Sequence, residues 1–194
     1  MEISVRRYFD NVVDTIEKMP LTTIHQIAGV LLQAYEAGRM IYIFGNGGSA
    51  ALASHFACDL GKGAANGSAK RFQVLAFTDN VPLMTAWAND ARYEDIFAEQ
   101  LINFVRPDDI AFAISGSGKS PNVLKALKVA REAGAFTVGL TGFQGGDMEG
   151  LCDLCLIIPS DNMQVIEDLH LSVTHAVFTA LRAKICQENS ERVA

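Results

Sequence analysis

Hydrophobic periodicity divides the chain into two textures. Up to residue 38, apolar residues recur at helical spacing, which predicts helices over about 3–18 and 23–37. Pro20 separates the two, Thr22 or Thr23 is placed to cap the second, and Gly38 is placed to end it. From residue 40 the apolar residues gather into short runs: "MIYIF" (40–44), "FQVLAF" (72–77), "DIAFAI" (109–114), "FTVGL" (136–140) and "LCLIIP" (154–159). None alternates cleanly, the pattern of parallel strands covered on both faces. Helical segments fall between them, at about 49–61, 81–104 with a break, 120–133 and a short stretch at 146–151; a long helix spans about 163–187. Gly134 stands where a glycine ends a helix. Strands alternating with helices predict an α/β, doubly wound, five-stranded parallel sheet, with extra N-terminal helices and a long C-terminal one.

Composition fits a single domain over residues 1–194, with the α/β core at about 40–187. Hydrophobic residues make up 49% and charged residues 20%, enough for a full core. A net charge of −6 argues against a general nucleic-acid or anionic-membrane surface. No apolar run reaches the roughly 20 residues of a membrane span. The amphipathic start "MEISVRRYFDNVVDTIEK" is unlike a signal peptide, so a cytoplasmic protein is expected. Cys152 and Cys155 form a C-x-x-C without a second such pair. They read as small apolar residues at a strand start.

Two strand ends are rich in glycine and serine. Gly45-Asn46-Gly47-Gly48-Ser49 lets the backbone turn sharply before a helix whose free N–H groups favour an anion. Its spacing is not that of a dinucleotide fingerprint. In "AISGSGKSPNV" (113–123), Ser115, Ser117 and Ser120 surround Gly116 and Gly118. A P-loop needs a glycine where this chain has Ala113, so Lys119 does not belong to one. Serine hydroxyls and helix N–H groups still suit a phosphate. Asn89-Asp90 interrupts a third helical pattern, either as a helix end or as groups that bind a polyol.

His55 and Asp59 are four residues apart and share a helix face. On the last helix, Glu167 and His175 lie about 80° apart and Asp168 within about 20° of His175. The stripe of Ile166, Leu169, Val173, Val177 and Leu181 covers another side and includes His170, a core histidine by default. A histidine and a carboxylate on each of two helices suit either acid–base transfer or zinc, and spacing leaves both open.

Together "FGNGGSAALASHFACDL", "WANDARYEDIF", "AISGSGKSPNVLKALKVAREAG", "LTGFQGGDM" and "IEDLHLSVTH" resemble the sugar-isomerase (SIS) domain family, and within it the phosphoheptose isomerases. The resemblance covers nearly the whole chain. It implies flavodoxin-like subunits assembled as a homotetramer with interfacial active sites, converting a ketose phosphate to an aldose phosphate, here sedoheptulose 7-phosphate, for bacterial heptose and lipopolysaccharide synthesis. By that likeness Ser115, Gly116, Ser117, Lys119 and Ser120 hold the phosphate. Asn46, Gly47, Gly48, Ser49, Asn89, Asp90 and Glu167 contact the sugar, and Asp59 and His175 are catalytic. Some members bind zinc, one ion per subunit, at positions that fall on His55, Asp59, Glu167 and His175. This chain departs from the pattern at Asp59 (usually Glu), Glu167 (Gln), Gly116 (Thr), Lys119 (Asn) and Gln164 (Asp). Other tetramers of the family bind the bacterial replication initiator without catalysis, which is the alternative reading.

Overall fold

The computed structural model describes residues 2–63 and 70–193, with side chains over 4–63 and 70–187. Two helices come first, α1 (Glu2–Ile16) and α2 (Leu21–Ala37). The core follows as β1 (Met40–Gly45), α3 (Gly48–Cys58), β2 (Gln73–Ala76), α4 (Val81–Asp90), α5 (Ala98–Phe104), β3 (Ile110–Ile114), α6 (Pro121–Glu132), β4 (Phe136–Thr141), β5 (Leu154–Ile157) and α7 (Met163–Val193). All strand pairs are parallel and the order is β2-β1-β3-β4-β5. This is the doubly wound parallel sheet that the sequence pattern predicts, in the flavodoxin-like order that the family resemblance implies.

Strand pleating explains the unbroken apolar runs. Ile41, Ile43, Ile110, Phe112 and Ile114 pack in one cluster with α2, α3 and α7. Tyr42, Phe44, Ala111 and Ala113 enter the opposite cluster, with Ala126 and Ala130 of α6. Each central strand thus buries both faces. At the sheet edge β2 is only partly covered, and Leu75 is 43% exposed.

Several local expectations are corrected. α2 begins at Leu21 with Pro20 at its N-cap and no capping side chain, so neither Thr22 nor Thr23 caps it. The fixed φ of Pro20 starts the helix instead. α3 gives way at Asp59 to a π-helical turn over Asp59–Gly63. The interrupted helix at 81–104 becomes α4, a 3₁₀ turn (Tyr93–Asp95) and α5, with the break at Ala91 and Arg92. The expected helix at 146–151 shrinks to one turn, Glu149–Leu151, because Gly145 and Gly146 hold positive φ values of 83° and 59°. Cys152 and Cys155 flank the bare Cα of Gly139, where an added Cβ would stand 2.7 and 3.2 Å from their sulfurs. They pack there as small, partly buried residues, as read.

On α7, Ile166, Leu169, Val173, Val177 and Leu181 are all buried, as the stripe requires. His170 is buried with them at 1% exposure. Its Nε2 lies 3.2 Å from the Thr141 carbonyl, so Nε2 carries the proton, and buried Nδ1 has no partner among the described residues. Burial pushes this imidazole down to about 4, although the Thr141 bond opposes the shift. The fold therefore holds His170 neutral, while the unfolded chain protonates it near pH 6.5. The resulting stability is present above about pH 6.5 and is lost as pH falls toward about 4, to a total of about 3 kcal/mol. Urea unfolding at about pH 7 and about pH 4.5 checks this. His170→Gln should lose less stability than wild type over that interval, and equal losses would contradict the account.

Candidate functional site

Adjacent strands β1 and β3 pair with Gly45 opposite Ile114, so their two loops leave the sheet side by side. The chain then turns toward β2 from one and toward β4 from the other, which opens a crevice between them. Gly47 takes φ 55° and ψ −123°, a backbone state for which glycine is suited, and α3 starts at once.

Asn46 does not hang free in this crevice. Its Nδ2 donates to Asn122 Oδ1 at 2.8 Å, and Asn122 Nδ2 donates back to Asn46 Oδ1 at 2.8 Å. Tyr93 O–H donates to the same Asn46 oxygen at 3.2 Å. Asp95, buried and ion-paired with Lys125, ties the Tyr93 turn to α6, and that contact holds its carboxyl below the usual range. Sequence reasoning missed Asn122 and Tyr93. Their only sequence signal is proximity to strand ends, because the partner residue is far along the chain.

After β3, Ser115 Oγ and Ser120 Oγ stand 3.2 Å apart, and Ser117 Oγ accepts from the Lys119 N–H at 3.3 Å. Ser115 is buried, Ser117 and Ser120 are partly exposed and Lys119 is exposed. At Gly118 φ is 64°, and an added Cβ would lie 2.0 Å from the Gly145 carbonyl oxygen. Only glycine fits there. At Gly116 an added Cβ would meet Met163 Sδ at 2.5 Å, so the methionine fills that side of the loop. Three hydroxyls and the start of α6 thus sit together, a cradle that suits a phosphate. Ser117 and Lys119 also line a concavity of about 910 Å³ with Asn11, Lys18, Gln144 and Asn162.

The acid–base candidates converge from α3, its π-helical extension and α7. His55 Nε2 lies 2.9 Å from His175 Nε2 and 3.4 Å from Asp59 Oδ2; His175 Nε2 is 3.8 Å from that oxygen. One donor atom from each of the three falls within 4.8 Å of the others. Among the described residues Asp59 Oδ2 is buried without a hydrogen-bond partner, while both imidazoles are about half exposed. A buried carboxylate oxygen lacking a donor is costly alone and suits a proton or a cation. Two imidazoles and a carboxylate are also a donor set that zinc accepts.

Glu167 stands apart from these three. A Cβ on Gly48 would be 3.1 Å from both its carboxylate oxygens, so Glu167 covers the first residue of α3, where a negative charge is favoured. With Ser49, His55 and His170 it lines a cavity of about 240 Å³. Asp168, close to His175 by azimuth, accepts the Tyr8 hydroxyl and so docks α1 on α7. That bond pushes the Tyr8 phenol up to about 12. Asn89 and Asp90 are the last residues of α4, exposed and bonded to each other, as a helix end would place them.

Comparison with known proteins agrees with the geometry. Residues 6–142 match the SIS domain. A phosphoheptose isomerase of Rhodospirillum rubrum is 36% identical over 188 residues, covering 96% of this chain and 100% of that protein. One from Bradyrhizobium sp. (strain BTAi1) is 37% identical over 170 residues, 88% of this chain and 85% of the relative. Among solved structures, phosphoheptose isomerase from Neisseria gonorrhoeae superposes with a TM-score of 0.86 at 29% identity, covering 94% of this chain and 98% of its own. That from Francisella tularensis gives 0.86 at 26% identity, with 93% and 97% covered. The fold, the paired loops and these likenesses place the chain in the SIS domain family, among its phosphoheptose isomerases.

Proposed function

We propose that this protein is a ketose–aldose isomerase of phosphosugars, converting sedoheptulose 7-phosphate to D-glycero-D-manno-heptose 7-phosphate. The observation that carries the reading is the convergence of His55, Asp59 and His175 on one point, beside two ligand loops at adjacent strand ends. A relative that matches almost end to end, from Rhodospirillum rubrum, bears the name phosphoheptose isomerase.

The isomerisation takes a proton from C1 of the ketose, passes through an enediol and returns a proton to C2, while the hydroxyl proton moves from O1 to O2. The serine cradle takes the phosphate, far from the reacting carbons, and fixes the register of the chain. Asp59 serves as the carbon base, since among the described residues no hydrogen-bond donor satisfies its buried oxygen. His175 relays the proton between the two oxygens, and His55, 2.9 Å away, orients it. Zinc is proposed on the same donors, His55, Asp59 and His175, with Glu167 as the further family position. When bound there, zinc would polarise the substrate carbonyl.

A homotetramer is also proposed. Val5, Phe9, Val13 and Ile16 form one stripe along α1 and are 55%, 60%, 55% and 51% exposed. Such a contiguous apolar face suits burial against another copy. The half-exposed imidazoles leave the site open to a neighbouring subunit. We place this reaction in the cytoplasm, in the synthesis of heptose for lipopolysaccharide. Among the described residues no helix is long and apolar enough to cross a membrane.

Three experiments test these statements. Asp59→Asn and His175→Ala should each lower kcat on sedoheptulose 7-phosphate by about 100-fold or more, the scale of lost general acid–base catalysis. Near-normal turnover in both would overturn the assignment. In the same proteins, equilibrium dialysis against zinc should find about one ion per wild-type subunit and less in either variant; no ion on the wild type, or unchanged retention in both variants, removes zinc from this site. Separately, Phe9→Asp with Val13→Asp should yield a smaller species than wild type in light scattering. Identical masses would exclude α1 from the interface.

A further inference from the structure

Asn122 is buried at 1% exposure at the start of α6, next to the serine cradle, yet it makes no hydrogen bond to the cradle's serines among those described. Its side chain points across the crevice to Asn46. The orientation of both amides follows from the Val123 N–H, which donates to Asn122 Oδ1 at 3.0 Å. That atom must be an acceptor, so the facing Asn46 atom is the NH₂ group. Asn46 Oδ1 then accepts from Asn122 Nδ2 and from the Tyr93 hydroxyl.

Counting closes the network. An amide oxygen has two lone pairs and an amide nitrogen two hydrogens. Both acceptor positions on Asn46 are taken, and so is one of its N–H groups. Among the described residues one N–H of Asn46 remains without a partner, and it is available to a ligand. Asn122 Oδ1 is likewise filled, by Asn46 and by Val123.

We propose that Asn122 is a positioning residue that fixes Asn46 as a single hydrogen-bond donor to a sugar oxygen and locks the loop after β1 to the loop after β3. The proposal rests on the sugar-binding reading of the first loop. It specifies more than that reading does: the two parts of a sugar phosphate are registered against each other by one reciprocal amide pair. A phosphate alone needs only the cradle. A sugar phosphate needs both loops at their fixed separation, and without Asn122 only the Tyr93 hydroxyl holds the Asn46 amide; a hydroxyl can accept as well as donate, so the amide can then turn its oxygen toward the ligand.

The test compares two probes by calorimetry, inorganic phosphate and sedoheptulose 7-phosphate, on wild type, Asn122→Ala, Asn46→Ala and the double variant. Asn122→Ala should weaken the sugar phosphate about 10-fold, the scale of a lost buried hydrogen bond, and leave inorganic phosphate within about twofold. The double variant should bind the sugar phosphate no worse than Asn46→Ala alone, because one residue acts through the other. Equal weakening of both probes would make Asn122 part of the cradle's own fold and overturn the proposal. Multiplying effects in the double variant, or no effect at all, would also overturn it. Should the alanine variant fail to fold, Asn122→Ser carries the same comparison: it adds no charge beside the cradle, offers a hydroxyl to the Val123 N–H and loses the amide donor to Asn46. Wild-type protein that takes inorganic phosphate but not the sugar phosphate would instead refute the sugar-binding reading itself.

Discussion

The structure depends on the parallel pairing of β1 with β3 at the centre of the sheet. Met40–Gly45 and Ile110–Ile114 are far apart in sequence, and their ladder ends with Gly45 opposite Ile114. Everything chemical follows from that last rung. A glycine turn leaves one strand and a serine turn the other, and because their onward connections diverge, no covalent segment fills the space between them. Hydrophobic burial on both faces holds the rung in place. Isoleucine and phenylalanine side chains pack toward α2, α3 and α7, and alanines let α6 approach closely on the other side.

α7 completes the site from outside the sheet. Its buried stripe fixes its rotation, and that rotation decides which polar residues reach α3. His175 meets His55 and Asp59, Glu167 covers the start of α3, and Asp168 is drawn aside to Tyr8. His170 turns inward and is held neutral by its surroundings. Four titratable side chains on one helix thus take four environments from a single packing constraint. Asp59 reaches one methylene less far than a glutamate would, yet its oxygen stands 3.4 Å from His55.

Much of this was legible in the sequence because it is local or periodic. The five apolar runs became the five strands, and the stripe from Ile166 to Leu181 became the buried face of α7. His55 and Asp59 share a face because four residues make about one turn. What was not legible depends on contacts between distant segments. Asn122 gains its role only when β1 and β3 pair, and Asn46 then proves to be mostly engaged within the protein. The separation of Glu167 from the His55–Asp59–His175 group reflects how α7 crosses α3, which azimuth along one helix does not encode. Thr22 and Thr23 looked like caps by type, but the proline before them starts the helix.

The central claim is that the two loops and the converging side chains isomerise a ketose phosphate. Proton NMR of the wild-type protein with sedoheptulose 7-phosphate, with and without added zinc, tests it most directly. The account predicts new anomeric signals of the corresponding aldoheptose 7-phosphate, growing at a rate set by protein concentration and absent without protein. An unchanged ketose spectrum under both conditions, from folded protein that binds the ligand, would contradict it.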